Sequence, residues 1–401
     1  MTEVPTRTEA IRVALIGTGN CGSLALRQLV EDGRFDLTGV WVSSDAKVGK
    51  DAGELAGLDV TTGVTAINDL DAIIAAKPDC IVYCAMGDTR LPQAMADMRK
   101  ILAAGIDVVG AAPGVLQYPW QVIPDKYIER IEDAARQGDS SVFITGVDPG
   151  FATDLLPFAL AGTCQRIEQI RTMEIADYAS YDGATVMFEV MGFGNQIGDF
   201  PLLFQPGVLS IAWGTAIRQL AAGLGVEVDE IKDSVEQGPA PEDFDVAVGT
   251  IKKGTVAALR FQIEGMVKGK PVIVVEHVTR LRPDLRPDWA QPAQPGGSYR
   301  VEIVGEPSYA MDICPTSRNG DHNYAAILAA AGRIVNAIPD VLAAPPVGRS
   351  YRAPDYLKSQ QAFTRHKWHV QCGPDARWRR ENIGDGVDDA PGRGEDRRVV
   401  V

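Results

Sequence analysis

The stretch that decides the fold is Ile11-Arg12-Val13-Ala14-Leu15-Ile16-Gly17-Thr18-Gly19-Asn20-Cys21-Gly22, an apolar run that ends in three spaced glycines. A helical pattern through Leu24, Leu26, Leu29 and Val30 follows directly. Gly17 permits a tight turn, Gly19 lets backbone approach a pyrophosphate, and Gly22 allows the helix to pack closely on the strand. The N-terminus of that helix would then offer its free N–H groups to the phosphates. Glycines at this spacing are weak alone and strong between a strand and a helix near the start of a chain. Gly17, Thr18, Gly19, Asn20, Cys21 and Gly22 are therefore expected to bind a dinucleotide.

The same rhythm continues outward. Residues 37–42, 80–85, 108–110 and 142–145 are short apolar runs, and helical stretches such as 91–104 and 126–136 lie between them. Strands alternating with helices predict a parallel sheet covered on both faces. After Pro149 the pattern changes to period two over 170–176, 257–267, 271–280 and 299–304, with turn signals such as Lys268-Gly269-Lys270. That alternation predicts an antiparallel or mixed sheet with one buried face, with helices at 208–224 and 323–336 embedded in it. The fold class is α/β: an N-terminal Rossmann parallel sheet, residues 11–150, followed by a second α+β mixed-sheet domain, residues 151–357. Residues 1–10 are polar and expected to be flexible. Residues 358–401 are expected to form a mobile tail, because between Gly373 and Arg398 seven acids and six arginines leave almost no aliphatic side chain to bury.

Composition removes several function classes. Of 401 residues 53 are acidic and 39 are Lys or Arg, a net charge of −14, which is wrong for a nucleic-acid binder or for docking on anionic lipid. No apolar run reaches 18 residues, so no membrane span is expected, and the first ten residues lack the apolar centre of a signal peptide. Six cysteines without paired or zinc-like spacing suggest reduced thiols and a cytoplasmic protein. A metal is not expected: His366, His369 and Cys372 offer three ligands without a fourth.

The second strand ends at Val42, close to where a ribose-binding acid would lie. Ser43, Ser44 and Lys47 there suit a 2′-phosphate, whereas Asp45 suits a free 2′-hydroxyl. NADP is the expected cofactor, with NAD also open. Ala85, Met86 and Gly87, and likewise Ala111, Ala112 and Pro113, follow later strands and should border the nicotinamide. Hydride transfer to C=O or C=N also needs a proton donor at the heteroatom. Asp148, Tyr178, Tyr181 and His277 are the candidates. Each has a plainer alternative: a turn or cap before Pro149 for Asp148, a hydrogen-bonded sheet residue for His277, half-buried aromatics for the tyrosines. The stretch 186–213, rich in Met, Phe and Trp, reads as core or dimer interface, or as an apolar substrate wall.

Three further motifs, Gly146-Val147-Asp148-Pro149-Gly150-Phe151, Val335-Asn336-Ala337-Ile338-Pro339 and Ala343-Ala344-Pro345-Pro346, join the glycine loop. Together they resemble the dihydrodipicolinate reductase-like oxidoreductases, in the branch of 2,4-diaminopentanoate dehydrogenase and native amine dehydrogenases. The resemblance runs from about Ile11 to Leu357. It implies NAD(P)H use, a substrate and dimerisation role for the second domain, a homodimer, and a helix 323–336 that packs back on the first domain. Asp148 stands where the family commonly has Asn; Tyr181 and His277 look like pocket residues. One departure matters. The family's amine dehydrogenases carry acids shortly before a Tyr-Pro pair, and this chain reads Pro113-Gly114-Val115-Leu116-Gln117-Tyr118-Pro119. The expected function is NAD(P)H-dependent reduction of a C=O or C=N bond of a small, largely apolar substrate, amine dehydrogenase-like. Ammonia-independent carbonyl reduction and non-catalytic dinucleotide sensing are the alternatives.

Overall fold

The structure, a computed structural model, describes residues 9–344 and the backbone of an antiparallel ladder, His366–Gln371 with Arg377–Asn382. Residues 1–8, the remainder of the expected tail and the side chains of His366, His369 and Cys372 lie outside the described residues.

In the first half β1 (Ile11–Ile16), α1 (Asn20–Glu31), β2 (Phe35–Trp41), α2 (Ala52–Leu55), β3 (Ala66–Ile67), α3 (Leu70–Ala75), β4 (Cys80–Tyr83), α4 (Leu91–Ala103), β5 (Asp107–Gly110), α5 (Asp125–Gly138) and β6 (Val142–Ile144) follow one another. The strands form one parallel sheet in the order β3-β2-β1-β4-β5-β6. Its central strands are apolar on both sides because both sides are covered. Val13 and Leu15 pack toward Leu26 and Leu29 of α1, while Ala14 and Ile81 pack toward Met98 of α4 and Ile131 of α5. Each such buried Leu or Ile contributes about 1.5–3 kcal/mol.

The second half holds α6 (Leu155–Ala161), β7 (Arg166–Asp177), α7 (Val208–Ala212), α8 (Gly214–Leu224), β8 (Glu230–Pro239), a small hairpin of β9 (Phe244–Val246) and β10 (Gly249–Ile251), β11 (Val256–Val267), β12 (Lys270–Arg280), β13 (Gly297–Glu306), β14 (Tyr309–Ile313), α9 (His322–Asn336) and α10 (Ile338–Ala343). Six strands form a mixed sheet in the order β14-β13-β7-β12-β11-β8, in which β7 and β12 run parallel and the other neighbours antiparallel. Strand β8 has little apolar alternation because it is an edge, and charged side chains suit an edge. The helix expected over 208–224 is two helices, divided at Trp213-Gly214. Glycine inside a helix costs about 1 kcal/mol relative to Ala, and the Trp213 indole is tied to Asp148. Met187, Phe193, Phe204 and Leu209 of the aromatic stretch are buried in the core of this half.

The span His322–Ala343 is long and apolar enough by composition to cross a membrane. Its apolar residues are used otherwise: Ala331, Ile334, Val335, Ile338 and Val341 are buried against the parallel sheet together with Val13 and Leu26. Gln28 on α1 donates to the Asn336 side chain at 3.1 Å. Helix α9 thereby joins the two halves and closes the space between them.

Candidate active site

The β1–α1 turn carries out what its glycines permit. Gly17 has φ +93°, and a Cβ there would stand 2.5 Å from the Ala85 nitrogen. A Cβ on Gly22 would stand 1.9 Å from the Gly17 carbonyl oxygen, so only glycine lets α1 approach the strand this closely. Gly19 caps α1 without a side-chain partner, and a Cβ there would meet nothing within 4 Å. Open space in front of an uncapped helix N-terminus fits a pyrophosphate. Thr18, Asn20 and Cys21 complete the turn. Beyond β2, Ser43 and Ser44 are exposed, and the Lys47 ammonium donates to the Thr18 carbonyl at 2.7 Å and to its hydroxyl at 3.2 Å. Ala85, Met86 and Gly87 follow β4, and Ala111, Ala112 and Pro113 follow β5. Both segments therefore lie at the carboxyl edge of the parallel sheet, where such sheets bind ligands.

A cavity of about 280 Å³ opens at this edge and reaches across to the mixed sheet. Cys21, Ala111 and Asp148 line it from one side, Glu174, Tyr178, Tyr181 and Tyr299 from the other, and Ala326, Ile327 and Ala330 of α9 form a third wall. Among the described residues no Lys or Arg lines it.

The polar end of the cavity is built by strand register. Phe261 on β11 pairs with His277 on β12, His277 with Glu174 on β7, and Glu174 with Tyr299 on β13. One row across four strands thus delivers an aromatic, an imidazole, a carboxyl and a phenol side by side. His277 is stacked on Phe261, with ring centroids 4.6 Å apart and planes 9° apart, and Trp213 meets it edge-on at 4.8 Å. Its Nε2 lies 3.2 Å from Asp148 Oδ2, short of hydrogen-bond alignment, and its Nδ1 lies 3.6 Å from Glu174 Oε2. The Trp213 indole donates to Asp148 Oδ1 at 3.1 Å, and the Tyr178 hydroxyl donates to Glu174 Oε1 at 3.0 Å. Glu276, next along β12, points to the opposite face, where Arg171, Arg260 and Gln262 satisfy it.

Burial opposes charge on all three central groups, and neighbours decide the outcome. Burial raises the Glu174 carboxyl above the usual carboxylate range, and the Asp148 charge adds to this against the His277 imidazole. Burial would lower His277, but the Asp148 and Glu174 carboxylates outweigh it and raise the imidazole above its ordinary value. Burial and Glu174 hold the Tyr178 phenol well above its ordinary value, so it stays a donor. Tyr181 stacks on Tyr178 at 5.3 Å and reaches the Asn20 side chain in the glycine turn, linking the two halves. Asp148, Glu174 and His277 place one ligand atom each within 4.8 Å. Their arrangement is that of a proton network, since the two carboxyls face different nitrogens of one ring.

The structure brings together Asp148, Tyr178, Tyr181 and His277, with His277 behind the two carboxyls. Glu174, Trp213 and Tyr299 are the residues that sequence reasoning missed. For Glu174 a signal existed: it is the only charge among Ile170, Thr172, Glu174 and Ala176, alternate positions in the second half of β7.

A glycine-turn Rossmann sheet with a second sheet closing a buried acid–imidazole network over its carboxyl edge defines a dinucleotide-dependent oxidoreductase. Residues 151–352 match the family model of the 2,4-diaminopentanoate dehydrogenase C-terminal domain. The chain is 37% identical over 338 residues to an amine dehydrogenase from Streptomyces virginiae, covering 84% of this chain and 94% of that protein. It is 24% identical to a 2,4-diaminopentanoate dehydrogenase from Acetoanaerobium sticklandii over 84% of this chain and 91% of that one. Among solved structures, an amine dehydrogenase from Mycobacterium smegmatis shares the fold, with a TM-score of 0.68 at 20% identity, covering 85% of this chain and 94% of that one. The chain belongs to the 2,4-diaminopentanoate dehydrogenase and amine dehydrogenase family of NAD(P)-dependent oxidoreductases.

Proposed function

We propose that this enzyme interconverts a small, largely apolar ketone or aldehyde with the corresponding primary amine, using ammonia and preferring NADP(H). One observation carries the choice: the cavity presents two buried carboxyls, Asp148 and Glu174, and no Lys or Arg among the described residues. Such a site favours a cationic amine or iminium and disfavours a carboxylate substrate. In the reductive direction one carbonyl compound, one ammonium ion, one NADPH and one proton give one primary ammonium product, one NADP+ and one water. The cofactor supplies the hydride. Gly17, Gly19 and the first turn of α1 hold its pyrophosphate, and Lys47 with Ser43 and Ser44 holds a 2′-phosphate.

The protein's part is proton management. Glu174, whose pKa burial raises, gives its proton to the carbinolamine hydroxyl as water leaves, and its carboxylate then faces the iminium. Tyr178 orients Glu174, and His277, oriented by Phe261 and Trp213, returns a proton to it. Asp148 faces the other ring nitrogen of His277. The apolar wall of Ala326, Ile327 and Ala330 sets substrate size. Residues 11–150 serve as the cofactor half and 151–357 as the substrate and dimerisation half. A homodimer is supported by the family resemblance, and a cytoplasmic setting by the free thiols of Cys21, Cys80, Cys84, Cys164 and Cys314.

The test is oxidation of NADPH and NADH with a panel of ketones and aldehydes, with and without ammonium. Turnover that requires ammonium is expected. Equal turnover without it would assign simple carbonyl reduction, the reading favoured by the absence of an acid at 113–117.

A further inference from the structure

Two cysteines that the reaction does not use meet under the cofactor turn. Cys21 is the second residue of α1 and lines the cavity. Cys84 follows β4, with its N–H bonded to the Ile16 carbonyl at 2.7 Å. The two segments are in close contact, since a Cβ on Gly22 would stand 3.2 Å from Cys84 Cβ. The two thiols are close enough to act on each other's ionisation. Both side chains are partly buried, and the cavity gives Cys21 its route to solvent.

We propose that Cys21 and Cys84 form an oxidisable pair, which peroxide converts to a disulfide that weakens dinucleotide binding. Cys21 sits in the first turn of α1, where a helix N-terminus favours a thiolate, and it lines the cavity, whereas Cys84 does not. The neighbouring Cys84 lowers the Cys21 thiol against the effect of burial, and Cys21 with burial raises that of Cys84. Cys21 is therefore the attacking sulfur and Cys84 the resolving one.

In the first step the Cys21 thiolate attacks a peroxide oxygen, the O–O bond breaks, and the departing hydroxide takes a proton to become water. Cys21 is then a sulfenic acid. In the second step the Cys84 sulfur attacks Cys21, the S–O bond breaks, and the hydroxyl leaves as water with the Cys84 proton. Two thiols lose two electrons, and one peroxide is reduced to two waters.

A disulfide holds its sulfurs about 2.05 Å apart, far closer than a hydrogen-bonded pair. Closing that gap pulls the first turn of α1 toward β4. The N–H groups of this turn are the ones placed to face the pyrophosphate, so their geometry is lost. One charge-assisted hydrogen bond is worth about a factor of ten or more in affinity. By linkage, bound dinucleotide must favour the dithiol over the disulfide at equilibrium by the same factor by which the disulfide weakens binding. This inference needs the dinucleotide site and is independent of the substrate.

The test uses the full reduced chain. After peroxide treatment, free thiols are counted in denaturant, cross-linked peptides are mapped, and dinucleotide Kd is measured by nicotinamide fluorescence. Two of the six thiols should disappear as a Cys21–Cys84 cross-link. The Kd should rise about tenfold, dithiothreitol should restore it, and in a dithiothreitol redox titration saturating NADP+ should shift the dithiol–disulfide equilibrium about tenfold toward the thiols. Cys84→Ser should give no cross-link, and its loss of binding should resist dithiothreitol as Cys21 passes to sulfinic acid. Loss of a different pair, or a Cys21–Cys84 bond that leaves Kd unchanged, overturns the proposal.

Discussion

Replacing Glu174 by Gln isolates the acid on which the proposed chemistry depends. Glu174 is 9% exposed and sits between the Tyr178 hydroxyl, 3.0 Å away, and His277 Nδ1, 3.6 Å away. Glutamine has nearly the same volume, and its carbonyl still accepts from Tyr178, so the local packing survives. What is lost is a proton that can be given and retaken. Positioned acid–base groups contribute about 10²–10⁴-fold, so kcat for amination should fall by that factor. The KM for cofactor should stay within about twofold, because Glu174 is not part of the glycine turn. The pH dependence carries a second signature. Burial raises the Glu174 pKa, so the working acid is present at low pH and is lost as pH rises through that raised value. At fixed free-ammonia concentration, wild-type kcat should therefore fall on the alkaline side, and Glu174→Gln should lack that limb. Steady-state kinetics across pH, with thermal melts to establish folding, checks both. A folded variant with kcat within about threefold of wild type and the same alkaline limb would refute Glu174 as the acid.

Two further expectations concern the parallel sheet. Lys47→Ala should raise the KM for NADPH about tenfold and leave that for NADH within about twofold, because the ammonium now on Thr18 would lose a 2′-phosphate partner; an equal change for both dinucleotides would count against it. Asp107, whose carboxyl accepts from the Ser141 N–H, has its pKa raised by burial from 3.8 to about 6. A raised carboxyl contributes stability that is fully present below 3.8 and is lost as pH rises through about 6. Asp107→Asn keeps the acceptor and removes the titration. In urea unfolding it should be more stable than wild type at about pH 7.5 by on the order of 1 kcal/mol, after discounting for solvent screening of a partly exposed group. The difference should vanish near about pH 4, and a constant difference would contradict the assignment.

The parallel half was legible because its signals are local. A strand, a glycine turn and a helix lie within one short stretch, and the apolar runs of β4, β5 and β6 need no partner to be recognised. The mixed half was legible only as strands. Its functional row depends on which residue of β11 faces which residue of β12, β7 and β13, and those registers join positions up to 125 apart, Glu174 to Tyr299. Nothing within 166–177 reveals that Glu174 will face an imidazole supplied about a hundred residues later. A single acid in a strand is ordinarily a solvated side chain; here the alternate positions Ile170, Thr172 and Ala176 mark its face as buried. Trp213 was hidden for a similar reason, since a continuous helical pattern gave no hint that the helix divides to bring its indole to Asp148.

The location of the proposed acid bears on why the proposed chemistry needs no carboxylate at 113–117. That segment is a short turn on the cofactor half, where the Asp88 carboxylate accepts from the Gly114 N–H at 2.8 Å. Glu174 instead sits in the interior of a twelve-residue strand with paired neighbours on both sides. A carboxyl held by two ladders has less freedom to drift than one on a turn, and proton transfer is sensitive to displacements of that size. The strand also supplies what a turn could not: burial, which raises the pKa of the acid, and an imidazole at fixed register beside it. With the proposed acid on the substrate half, the turn at 113–117 presents instead the neutral amide of Gln117, whose buried nitrogen has no hydrogen-bond partner among the described residues.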